Sequence, residues 1–347
     1  MKTLLVDGNW NLKRNFMSLK VVDAYKNRCG GSYGFLISLQ SIIKKTLPDR
    51  VIIMWDGFQN GRYRYDIYKP YKSKRKNKWL KQRDVLSMKI RNQEDQDELD
   101  LFSQKMLVKN LMEEFSIRQL EVDYIEGDDL IAGYILQSEK EDRDEEIIVY
   151  SADKDFRQLV SKKVSLMNPK YDTPITVDNF RERVGHIIEN ELIFKCFEGD
   201  SSDSIDGVSG IKIDGNKNTI EKYIPDVRDV KYSYQELVSE CKLLQEEKKY
   251  SKNKTIQKII DAEEVLYRNA KLMNLSKPFL DKDAVDEINI ISHSPIDSDR
   301  SVDRAISSLR TDGYIRLMAQ NNVSPSDFFA PFYRIMNREK EYREYIK

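Results

Sequence analysis

Three apolar runs in this chain each end in an aspartate: Leu4-Leu5-Val6-Asp7, Val51-Ile52-Ile53-Met54-Trp55-Asp56 and Ile147-Ile148-Val149-Tyr150-Ser151-Ala152-Asp153. Short runs that are apolar throughout, rather than alternating, read as strands buried on both faces, the signature of a parallel sheet covered by helices. Helix-patterned segments lie between them, around Phe35 to Ile43 and from Leu99 to Phe115. The chain is therefore expected to be α/β, with a mostly parallel central sheet flanked by helices. The carboxyl ends of such strands share one edge, so Asp7, Asp56 and Asp153 are expected to converge. A further acidic stretch, Ile125-Glu126-Gly127-Asp128-Asp129-Leu130, opens another helical pattern. Alone, acids in a first turn do no more than meet the helix dipole. Beside three aspartate-terminated strands, they read as part of a common site. Asp155, two positions beyond Asp153, and Asp200 with Asp203, at i and i+3, complete the candidates. Capping and plain surface loops are the alternatives for these last positions.

Charge is unevenly spread in a chain whose formal net charge is zero over 347 residues. Residues 62–91 hold twelve basic side chains against two acidic ones, interleaved with Tyr63, Tyr65, Tyr68, Tyr71 and Trp79. An exposed segment of this kind binds phosphates through counterion release, and its aromatics weaken the alternative of a merely solvated helix face. No apolar run approaches the roughly 20 residues that a membrane helix needs. The apolar stretch of MKTLLVDGNW is too short for a signal peptide, so a cytoplasmic protein is expected. Cys29, Cys196 and Cys241 are odd in number and far apart, against a disulfide framework or a cysteine zinc site.

Gly8-Asn9 reads as a turn after the first strand. The small residues Gly30, Gly31 and Gly34 before the Phe35 helix allow close approach to a nucleic-acid backbone, or form a tight loop with a helix packed closely on the sheet. Residues 222–271 look helical, 281–303 read as a surface connection, and 304–345 as a helical tail. The tail's aromatics, Phe328 to Tyr333, are expected to dock on the core; contact with a replication protein is the alternative. These features divide the chain into a core at 1–185 with an insertion at about 62–98, a helical region at 186–280 and a tail at 281–347.

Nine carboxylates, Asp7, Asp56, Glu126, Asp128, Asp129, Asp153, Asp155, Asp200 and Asp203, cannot gather without cations. Oxygen donors with no cysteines among them, in a chain whose only histidines are His186 and His293, point to Mg2+ or Mn2+ rather than zinc. Two such ions about 3.5–4 Å apart suit phosphodiester hydrolysis. Neither histidine is needed, and each is expected to be a packing or surface residue.

These residues resemble the 5′-nuclease or flap-endonuclease family, particularly phage and bacterial 5′-3′ exonucleases and the phage RNase H type. The resemblance covers about 1–280. It rests on the strand-end aspartates, Trp55-Asp56-Gly57, Arg64 with Tyr71-Lys72-Ser73-Lys74-Arg75, Glu126-Gly127-Asp128-Asp129, Ser151-Ala152-Asp153-Lys154-Asp155, and Gly199-Asp200-Ser201-Ser202-Asp203 leading to Gly207-Val208-Ser209-Gly210-Ile211. It implies a PIN-like core, a helical arch at 62–98 and a helix-turn-helix-like duplex-binding element. It further implies that the nine carboxylates are metal ligands, with Asp7, Asp56, Asp128 and Asp153 central to catalysis, and that Lys72 and Arg75 stabilise the scissile phosphate. Arg64, Tyr71, Lys72 and Arg75 would grip the 5′ strand, and Gly207, Gly210 and Lys217 would meet duplex DNA, with K+ in that loop. Lys212-Ile213-Asp214 depart from the family's compact turn there and bear on the K+ site. The expected substrates are branched or flapped DNA and RNA–DNA primer junctions, with single-strand-binding or other replication proteins as partners of a monomer. The rivals are a PIN-type ribonuclease, which lacks the basic excursion and the 199–211 element, and a non-catalytic nucleic-acid-binding scaffold.

Overall fold

The computed structural model describes the chain except for residues 24, 74–89, 91, 214–218, 297–299, 312, 321 and 347. The chain forms two compact units: Met1–Asn60, Trp79–Ser151 and Leu280–Lys347 make the first, and Gly61–Lys78 and Ala152–Phe279 the second. These units cut across the division into 1–185, 186–280 and 281–347, since residues 152–185 group with the second and the tail with the first.

The first unit is built on β1 (Lys2–Asp7), β2 (Arg50–Asp56), β3 (Arg118–Val122) and β4 (Glu146–Tyr150), all parallel, in the order β3-β2-β1-β4. Leu4, Leu5, Val6 and Val51 through Trp55 are wholly inaccessible, as expected for strands covered on both faces. Their burial is worth roughly 1.5–3 kcal/mol for each large side chain. No turn follows β1. The helix Gly8–Ser18 starts at once, and the Asp7 carboxylate caps it by accepting from the Trp10 amide at 3.0 Å. The sequence conceals this helix because two of its buried positions are Asn11 and Asn15, which bond to each other. Helix Gly30–Thr46 packs closely on it: a Cβ at Gly34 would fall 2.5 Å from Leu19 and 2.6 Å from Asn15. The glycines lie inside the helix, not in a loop before it, and serve packing against a neighbouring helix rather than on the sheet.

Residues 281–303 are not a plain surface connection. They contain the helix Lys282–His293, which buries Ala284, Ile288 and Ser292. This four-residue spacing is diluted by charge, which is why it reads as loop. Leu280 and Ile288 meet helix Gly127–Lys140 at Gly133, where a Cβ would come within 2.6 and 2.7 Å of them. Helices Val302–Thr311, Tyr314–Gln320 and Pro325–Ile346 follow. The tail's aromatics dock as expected: Phe328, Phe329 and Phe332 are buried, and Phe332 stacks on Phe115 with centroids 4.4 Å apart. Further along the last helix, buried Glu339 receives Arg118 through Nε at 3.0 Å and Nη2 at 2.8 Å, while Arg50 Nε lies 3.5 Å away.

The second unit packs helices Glu191–Glu198, Tyr234–Glu246, Lys254–Asp261 and Glu263–Met273 around a core that includes Phe197, Ile220, Leu237, Ile256 and Leu266. Residues 222–233 are turns rather than helix, so the helical expectation holds only from Tyr234 onward. The unit also contains β5 (Val164–Met167), a helix at Val177–Val184, and a short antiparallel pair, β6 (Gly199–Asp200) with β7 (Ile205–Asp206).

Candidate active site

In the first unit, five of the predicted carboxylates come from three elements. Asp7 ends β1 and accepts from Ser151 Oγ at 3.0 Å. Asp56 ends β2, and its Oδ1 accepts the amide of Gly127 at 2.8 Å, fastening the start of helix Gly127–Lys140 to the end of that strand. Asp7 lies opposite Met54 in the register, so Asp56 stands two residues, about 7 Å, further along the neighbouring strand. Glu126 occupies the N-cap position, with Asp128 and Asp129 in the first turn. Asp7, Glu126 and Asp129 are 7%, 3% and 1% exposed. Carboxylates this enclosed keep their charge only with partners or a cation nearby.

The second unit carries the other four. Asp153 caps the short 3-10 turn Lys154–Leu159 through the Asp155 amide at 2.9 Å. The Lys195 ammonium touches the Asp155 carboxylate and lies 3.5 Å from Asp200 Oδ2. Asp200 Oδ1 also accepts from Ser202 N at 2.8 Å, Ser202 Oγ at 2.6 Å and Asp203 N at 3.2 Å. Burial opposes charge on Asp200, but the Ser202 bonds and Lys195 outweigh it and hold the carboxyl below its ordinary value. Asp203 accepts from the Tyr71 hydroxyl at 3.1 Å, and Lys72 Nζ lies 3.9 Å from it. Lys72 adopts a φ of +50°, costly for a non-glycine residue, while its amide donates to the Asp203 carbonyl at 2.7 Å.

Among the described residues, no three His, Cys, Asp or Glu side chains are grouped so as to enclose a metal ion. The donors are nonetheless of the right kind for Mg2+ or Mn2+. Mg2+ keeps several waters and takes only one or two carboxylates together with substrate oxygens, so it does not require a closed protein cage.

Three residues expected to grip the 5′ strand, Arg64, Tyr71 and Lys72, are buried. Arg64 is 6% exposed, donates through Nε to the Leu272 carbonyl at 2.8 Å and lies over Phe279. Tyr71 is 2% exposed and joins the second unit's apolar core. Arg stems and Tyr rings bury readily once their polar ends are bonded, and Lys72 is as enclosed as Arg64, at 6% exposed. Gly207 is small for internal reasons: a Cβ there would fall 2.3 Å from the carbonyl oxygens of both Phe197 and Glu198. Gly210 has a φ of +80° on an exposed turn, with Lys258 Nζ 3.0 Å from where a Cβ would stand. Arg75 and Lys217 lie outside the described residues. His186 pairs with Glu191 at 3.2 Å and packs on Phe194, a packing residue as expected. Lys195 escaped the sequence reading. Its signal was a single cation five positions before Asp200 on a helix otherwise reading as core.

The family described as "5′-3′ exonuclease, N-terminal resolvase-like domain" matches residues 2–185. The 5′-3′ exonuclease of Buchnera aphidicola subsp. Schizaphis graminum is 27% identical over 211 residues, which is 60% of this chain and 66% of that protein. The 5′-3′ exonuclease of Aquifex aeolicus is 29% identical over 227 residues, 64% of this chain and 70% of the relative. The thermostable DNA polymerase I of Thermus filiformis is 29% identical over 210 residues, only 22% of its length. Among solved structures, the bacteriophage T5 5′-exonuclease with zinc ions bound superposes with a TM-score of 0.60 at 18% identity, covering 90% of this chain and 100% of that one. The T5 flap endonuclease in a product-type complex with DNA and metal ions gives 0.57, covering 90% and 99%. A strand-end aspartate pattern, a parallel sheet and a family match over more than half the sequence agree: this chain belongs to the 5′-3′ exonuclease family and carries its N-terminal resolvase-like domain.

Proposed function

We propose that this member of the 5′-3′ exonuclease family is a structure-specific 5′-nuclease that hydrolyses phosphodiester bonds at 5′ flaps or RNA–DNA primer junctions in DNA replication or repair. The observation that carries the reading is the tether between Asp56 and the Gly127 amide. It fixes an acidic helix start to the carboxyl end of one of two neighbouring strands that both end in aspartate.

Asp7, Asp56, Glu126, Asp128 and Asp129 in the first unit, and Asp153, Asp155, Asp200 and Asp203 in the second, would hold two divalent ions, Mg2+ or Mn2+. Bound ions supply a water of lowered pKa and positive charge for the developing oxyanions. The chain's own residues orient and balance. Ser151 fixes the direction of the Asp7 carboxylate, and the Gly127 amide fixes that of Asp56. Lys72 must exchange Asp203 for a phosphate before it can stabilise transition-state charge, and Arg75 is assigned the same electrostatic role. The basic segment 62–91 supplies phosphate contacts and stacking. Gly210 and Lys217 are assigned to duplex DNA, with K+ as the accompanying cation. The remaining proposals are a monomer working beside single-strand-binding or other replication proteins, in the cytoplasm. No helix among the described residues is long and apolar enough to cross a membrane.

The test is cleavage of a 5′-labelled flap with Mg2+, alongside binding in Ca2+. Cutting near the junction is expected. Tight binding without cutting in either Mg2+ or Mn2+ would favour the scaffold reading instead.

A further inference from the structure

Two ammonium groups sit among the second unit's carboxylates. Lys195 touches Asp155 and lies 3.5 Å from Asp200, and Lys72 lies 3.9 Å from Asp203. Asp155, Asp200 and the Lys195 that bridges them carry a formal charge of −1, so the lysine leaves the pair short of neutral. The Lys195 side chain is 11% exposed, and those of Asp155 and Asp200 are 21% and 22% exposed. Their attraction is thus only partly screened by water. Lys195 stands on helix Glu191–Glu198 beside Ile193, Phe194, Cys196 and Phe197, all buried, so the helix cannot turn to carry its ammonium elsewhere.

We infer that Lys195 is a built-in competitor for the divalent ion at Asp155 and Asp200: it holds the two carboxylates together when metal is absent and weakens metal binding there. This rests on the proposed reading of these acids as metal ligands. Lys195 is a positioning residue, since it acts through the carboxylates rather than on the substrate. Its ammonium occupies the oxygens a cation needs, so each ion that binds must first displace it to solvent or onto a phosphate. The flexible four-carbon stem allows that swing, because the charge sits at its far end. Metal occupancy at this group then becomes easier when substrate supplies an alternative anion for the lysine. Binding of substrate and binding of the ion are coupled, and by linkage the coupling is reciprocal.

The experiment is Mn2+ binding to the full chain, followed by electron paramagnetic resonance, for wild type, Lys195→Met and Lys195→Arg. Lys195→Met is expected to tighten the weaker Mn2+ dissociation constant about tenfold, the effect of removing one partly screened charge at contact distance. Lys195→Arg, which keeps the charge, should stay within about twofold of wild type. In EDTA, Lys195→Met should melt below wild type, and saturating Mn2+ should close the gap. Should Lys195→Met fail to fold, lysine-specific labelling of wild type read by mass spectrometry replaces it: Lys195 should label slowly in EDTA and faster in Mn2+. Unchanged or weaker Mn2+ affinity in folded Lys195→Met, or labelling of Lys195 that ignores Mn2+, overturns the inference. If wild type binds no Mn2+ at all, the metal reading itself falls, a result distinct from either.

Discussion

The pin between the last helix and the sheet gives the sharpest stability prediction. Glu339 is 4% exposed, with Arg50 at 2% and Arg118 at 5%. Arg118 makes a bidentate pair with it, and Arg50 Nε lies 3.5 Å away. Burial disfavours the charge on Arg50, and the Glu339 carboxylate more than restores it, raising its pKa. In Glu339→Ala both guanidinium groups keep other bonds, Arg50 to the Ser292 carbonyl and Arg118 to those of Ile291 and Ser294. They lose their only shared anion among the contacts described. Breaking a buried pair by removing one partner costs about 3–5 kcal/mol. Glu339→Gln keeps an acceptor oxygen while losing the charge, so its expected cost is lower, about 1–3 kcal/mol. The assay is urea unfolding followed by tryptophan fluorescence, comparing midpoints at constant slope. A loss below about 1 kcal/mol in Glu339→Ala, or equal losses in the two variants, would refute the reasoning that charge neutralisation at this pin stabilises the first unit.

Other outcomes follow from the same structure. Asp153→Asn should bind flap DNA in Ca2+ with near wild-type affinity while its Mg2+-dependent cleavage falls by about 10²-fold or more; equal loss of binding would argue against a ligand role. Lys72→Ala should slow cleavage by about 10–10³-fold, measured in single turnover, and an unaffected rate would remove Lys72 from the chemistry. Burial pushes Cys196 up to about 12 and Cys29 and Cys241 to about 11, against about 8.5 for an unfolded thiol. Their folded values are raised, so their contribution is complete below pH 8.5 and is lost as pH climbs toward 11–12, at about 1.4 kcal/mol per thiol per pH unit. Urea midpoints between pH 8 and 10.5 should fall steeply, and less steeply in Cys196→Ala; a flat profile would contradict it. Gly207→Ala, whose Cβ would meet two backbone carbonyls at 2.3 Å, should cost about 1–3 kcal/mol by thermal melting, and a neutral substitution would show that β7 yields.

The sheet and its acids were legible because β1, β2 and β4 are apolar runs that end at or just before an aspartate, a pattern that few other folds would explain. What stayed hidden had local causes. Helix Gly8–Ser18 presents Asn11 and Asn15 inward, where a helix usually shows apolar residues, and only the fold reveals that Asn15 Nδ2 donates to the Asn11 carbonyl and side-chain oxygens. Helix Lys282–His293 is masked by charge on its outer face. Arg64 and Tyr71 look like surface binders in a basic stretch, yet their chemistry also suits burial, and sequence carries no sign of which partner they find. Lys195 is the plainest case. A lone lysine is unremarkable until Asp155, forty positions earlier, is seen against it.

Because the tail packs on Phe115 through Phe332 and on Arg118 of β3 through Glu339, the opening strands and the tail helix belong to one folding unit interrupted by another. A ribosome delivers these strands well before the helix that covers them. While residues 152–279 emerge and collapse, the face that Phe115, Arg50 and Arg118 turn toward the last helix stays bare, an invitation to chaperones or to neighbouring nascent chains. Expression yield should therefore depend on the final helix more than its distance from the carboxylates suggests.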